Sequence, residues 1–114
     1  MRDKQAKSDL LRRVMNLNLQ KVKDRLVKNK VKEVIAELAI RQFKRFFYLA
    51  GTQKRSLVPT PATSEVWHEF LMCTKDYHEA CYKLFGKFIH HQHLTEITEL
   101  NDAFNFTTKF YSDL

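Results

Sequence analysis

The chain has 114 residues, 44% of them hydrophobic and 29% charged, with only two glycines and two prolines. A chain of this length buries its apolar groups as one domain without disulfides or a structural metal, and so few turn formers favour long helices over many short strands. The formal charge is +7, and no apolar run reaches the roughly 18 residues that a membrane span needs.

In chain order, SDLLRRVMNLNLQKVKDRLVKNK predicts a helix capped by Ser8, with Asp9 in the first turn where the helix dipole favours an acid. Leu11, Val14 and Met15, then Leu19, Val22 and Leu26, share a stripe at helical spacing. Asn16, Asn18 and Asn29 are poor helix formers, which puts a break near 16–18 or 29, with 29 preferred. From Val31 a second helix places Val31, Ile35, Leu38, Ala39, Phe43, Phe46 and Ala50 on one broad face and stops at Gly51. The loop TQKRSLVPTPATS follows, with Pro59 and Pro61 holding it extended. Thr63 or Ser64 then caps an unbroken helix through Phe85, ended by Gly86. Thr95 caps a last helix over 95–113, with Ile97, Leu100, Phe104 and Tyr111 on one side. The expected fold is all-α, a compact single-domain bundle of four to five helices with phenylalanines in its core.

Cys73 and Cys81 lie on consecutive parts of one predicted helix, about 12 Å apart at 1.5 Å per residue. A disulfide needs them within about 7 Å. Free thiols are therefore expected, together with a charged N-terminus that lacks a secretory core, and these point to a cytoplasmic protein.

Charge divides the chain. Residues 1–60 hold 16 Lys/Arg and 5 Asp/Glu, a net +11, whereas residues 61–114 hold 4 and 8, a net −4. A basic half predicts an acidic partner, either protein or nucleic acid, with Arg12, Arg13, Lys21, Lys23, Arg25, Lys28 and Lys30 as the contacts. The alternative is that the basic half pairs with the acidic half of the same chain. Surplus apolar residues such as Phe106 and Phe110 also allow a homodimer.

Histidines offer the second function. On a helical wheel His68 falls about 160° from Phe70, so it is not needed to fill the core. The run FGKFIHHQH sets His90 and His91 just beyond Gly86, and a chain folded back there would bring them toward His68. These three would form a zinc or acid/base site, or else a hydrogen-bonded structural clasp. No paired CxxC, HExxH, GxSxG or glycine-rich phosphate loop is present, so no catalytic residue is assigned and no cofactor is expected unless the histidines hold zinc.

The stretch VPTPATSEVWHEFLMCTKDYHEACYKLFGKFIHH runs from Pro59 and Pro61 through Val66, Trp67, His68, Thr74, Tyr77, Cys81 and Gly86 to His90 and His91. In that order these residues resemble the glycine-rich domain-containing protein-like family over residues 57–93. The resemblance implies a helical fold and gives little on activity; if the family's histidines once formed a metal site, this chain has kept only part of it. Ser64 stands where the family commonly has Asp, and Phe70 stands where many members have a second histidine. The family's glycine-rich tail is absent, which fits a small bacterial or phage-type protein.

Overall fold

The computed structural model describes residues 2–53 and 57–90. It is all-α: α1 (Arg2–Met15), α2 (Gln20–Lys28), α3 (Glu33–Thr52), α4 (Pro61–Met72) and α5 (Thr74–Phe85), with no strand among the described residues. The expected helix over 95–113, with Phe106 and Phe110, lies outside the described residues.

Local chemistry sets the boundaries, and several differ from the sequence-based expectation. Lys, Gln and Ala before Ser8 are good helix formers, so α1 begins at Arg2 and Ser8 lies inside it. The asparagines break the chain at both candidate places. Asn18 Oδ1 accepts a hydrogen bond from the Gln20 backbone amide at 3.1 Å as α2 begins. At the other end of α2, Asn29 is the C-cap and Lys30 takes a left-handed φ of 71°. The cap of α4 is Thr60 rather than Thr63 or Ser64, with its Oγ1 accepting from the Thr63 amide at 3.2 Å. Pro61 at the first helical position explains the shift, since its ring is preset for the helix and its missing N–H is no loss there. Thr63 is instead fully buried.

Two larger corrections concern faces and continuity. The expected apolar face of α3 included Ile35 and Leu38, yet both are exposed, and Val31 and Ala50 are only partly buried. Ala36, Ala39, Ile40, Phe43, Phe46, Phe47 and Leu49 form the buried side. α3 packs against all four other helices, and small side chains at Ala36 and Ala39 favour close approach on the side that wins. Gly51 does not end α3. The helix passes through it to Thr52, and the ring of Phe85 occupies the space where a side chain would stand, which accounts for a glycine inside the helix. The predicted unbroken helix from Val66 to Phe85 is also overturned. It parts at Cys73 (φ −90°, ψ 63°), whose amide donates to the Phe70 carbonyl at 2.9 Å, leaving α4 and α5 as separate pieces. Cys73 and Thr74 are weak helix formers, and their junction is where the segment yields.

The break does not scatter the core. Phe43, Phe47, Phe70 and Tyr77 form a connected group of rings with centroids 5.0–6.0 Å apart, and Trp67 packs on Phe46 at 5.4 Å. Each well-placed aromatic pair adds about 0.5–1.5 kcal/mol beyond the area it buries. Both cysteines are free, as expected from their spacing.

Candidate functional site

Gly86, with φ 70°, ends α5 in a left-handed cap and turns the chain so that Phe88 and Ile89 return to the core. A buried relay holds them there. Trp67 Nε1 donates to the Tyr77 hydroxyl at 2.9 Å, and that hydroxyl donates to the Ile89 carbonyl. Burial pushes the ionisation of Tyr77 well above its usual range and also raises that of the Cys81 thiol beside it. A raised thiol pKa makes Cys81 a poor nucleophile. These groups tie α4, α5 and the segment beyond Gly86 together.

Three histidines of the described residues lie on α4, on α5 and just beyond Gly86. His68 is exposed on α4. His90 is exposed and lies edge-on to Phe88 at 4.7 Å, while His78 packs beside Tyr82 at 4.7 Å. Among the described residues no group of three His, Cys, Asp or Glu side chains could hold a metal ion. His91, the third candidate ligand, lies outside the described residues.

The seven candidate cations of the basic half divide into two sets. Five make contacts within the chain. Arg12 reaches Asp9 at 3.1 Å, and Arg13 donates to the Lys83 carbonyl at 3.1 Å, near the negative end of α5. Lys21 meets Asp76 at 3.2 Å, and Arg25 meets the nearly buried Glu69 at 2.7 Å, so these two cross from the basic half to the acidic half. Lys23 joins Glu37 at 2.8 Å and Glu33 at 2.9 Å, and their carboxylates hold its ammonium pKa above the usual value. Lys28 and Lys30 make no ion pair among the described residues.

Like Lys7 on α1, Lys32, Arg41 and Arg45 on the α2–α3 connection and α3 share that state, all exposed and all without an ion pair among the described residues. The sequence reading missed them because it gave α3 a single apolar face. The signal was available, since α3 has more apolar residues than one side of a helix can hold. An open cleft of about 480 Å³ between the α1–α2 connection and α5 is lined by Lys21, Lys83, Asp76 and Glu79, so its formal charges balance. No described helix is long and apolar enough to cross a membrane.

The model of the UCP032817-like family matches residues 2–109. The chain belongs to the UCP032817-like family. This replaces the resemblance to the glycine-rich domain-containing protein-like family. In this UCP032817-like protein the residues that carried the resemblance have structural work: Trp67, Tyr77 and Cys81 are core, and Gly86 is a helix cap. No curated protein and no solved structure matches the chain.

Proposed function

We propose that this is a small, non-enzymatic helical interaction protein whose basic N-terminal half binds an acidic partner. One observation supports the reading above the others. Lys28, Lys30, Lys32, Arg41 and Arg45 have no carboxylate partner among the described residues, while five other cations of the same half are already occupied within the chain. Desolvating such cations against the protein's own acids would hold the fold together; leaving them in water leaves them available to steer an anionic surface.

The proposed contact set therefore extends from Lys28 and Lys30 along the α2–α3 connection to Lys32, Arg41 and Arg45. Titration of the full chain with a short duplex DNA and with a glutamate-rich peptide across a salt series tests the reading. The expected result is binding to at least one probe that weakens with salt; for duplex DNA the log–log slope is about −0.9 per phosphate contact. Charge reversal by Arg41→Glu with Arg45→Glu should weaken it. Absence of binding to both probes, or binding that ignores salt and charge reversal, would overturn the proposal.

A further inference from the structure

Resting on that reading, we propose that the outer face of α3 is a docking surface for an amphipathic helix of another protein, one whose apolar stripe is flanked by carboxylates. Val34, Ile35 and Leu38 are 66%, 53% and 52% exposed. Val34, Ile35, Arg41 and Arg45 all lie within about 60° of Leu38 on the helix, so three aliphatic side chains and two guanidinium groups form one strip about 16 Å long. No acidic residue shares it. Glu33 and Glu37 point to α2, where Lys23 holds them both.

The composition of the strip selects its occupant. Aliphatic groups gain only from an apolar cover, at about 25 cal/mol for each Å² removed from water. A nucleic-acid backbone would satisfy the arginines and leave Val34, Ile35 and Leu38 wet, and the strip has no aromatic ring on which a base could stack. A helix laid along α3 would cover the aliphatic groups with residues spaced at its own i, i+3, i+4 and i+7 positions. Carboxylates beside that stripe would meet Arg41 and Arg45. A second copy of this chain fits poorly, because a two-fold contact sets the strip against itself and the strip holds no carboxylate to meet Arg41 and Arg45.

The test uses the full chain and two designed helical peptides with the same leucine stripe, one flanked by glutamates and one by lysines. Duplex DNA, vesicles containing phosphatidylserine, and light scattering of the chain alone provide the other arms. The glutamate peptide should bind, and the lysine peptide should bind at least about tenfold more weakly. Leu38→Lys, on an exposed site that leaves the core and the melting temperature unchanged, should weaken the glutamate peptide about tenfold or more. Arg41→Glu with Arg45→Glu should do the same. Unchanged affinity in Leu38→Lys overturns the inference. So does a dimer dissolved by that substitution, which would make the occupant a second copy, or vesicle binding abolished by it with no peptide binding, which would make the occupant a lipid surface. Salt-sensitive binding of DNA without peptide binding sinks the helix-docking inference and leaves the acidic-partner reading standing. Failure of every anionic probe sinks both.

Discussion

The hydroxyl of Tyr77 donates to the backbone carbonyl of Ile89 while accepting from the indole of Trp67, so one buried phenol oxygen joins α4, α5 and the segment that follows them. Tyr77→Phe keeps the ring and removes the oxygen, so both hydrogen bonds made at that buried oxygen are lost. The loss should be about 1–3 kcal/mol of stability. Urea denaturation checks it, and limited proteolysis should show new cleavage just beyond Gly86.

The same burial gives the protein an alkaline limit. Tyr77 and Cys81 stay neutral in the fold past their ordinary values of 10.0 and 9.0, whereas the unfolded chain ionises at those values. A raised folded pKa contributes stability that is fully present below the unfolded pKa and lost as pH rises above it. Tyr48, also raised by burial, adds to this limb, and Lys44, whose burial lowers its pKa, works in the opposite direction. Melting temperature should fall from about pH 9 upward, and Tyr77→Phe should flatten the part of the decline above pH 10. An equally steep fall in the variant would remove Tyr77 from the account.

Gly51 and Phe85 are a matched pair. A Cβ at position 51 would stand 2.4 Å from the Phe85 ring, so Gly51→Ala must displace a side chain that also packs edge-on against Phe47. Overpacking of this kind costs about 1–3 kcal/mol. Adding Phe85→Leu should recover part of that loss, and a double-mutant cycle measures the coupling.

The cysteines should separate under a thiol reagent. Cys73 is partly exposed at the helix junction, whereas Cys81 is buried with a raised pKa. Native protein should therefore label at Cys73 alone, and both thiols should label in urea. Mass spectrometry of the labelled peptides decides.

At the α2–α3 turn, Lys30 adopts a left-handed conformation that strains a residue with a Cβ by about 1–2 kcal/mol. Lys30→Gly should relieve part of that strain and raise the denaturation midpoint, although the entropy of glycine offsets some of the gain. A lower midpoint would show that the lysine side chain contributes more than its backbone costs.

Much of the fold was legible in the sequence. Helical content, the free thiols, the Gly86 cap and the core roles of Phe43, Phe46, Phe70 and Tyr77 follow from spacing and from residue chemistry. The face of α3 was not legible, because two apolar stripes compete on that helix and only the placement of its neighbours decides between them. Nor was the break at Cys73: a turn of one residue leaves the apolar period nearly intact, so the wheel reads straight through it. The cations of α2 are uniform in sequence, and only distances reveal that Lys21 and Arg25 serve the chain's own acids.

The return of Ile89 to the Tyr77 hydroxyl bears on how the protein is made. Val14 near the beginning is fully buried, α1 contacts α5, and Phe88 covers Tyr77 at 5.4 Å. On a ribosome, therefore, α1 and α2 emerge before the surfaces they settle on, and this interior cannot close until the residues just beyond Gly86 have left the exit tunnel. Until they have, the apolar side chains of α1–α3 depend on chaperones or on their own weak contacts to stay out of aggregates.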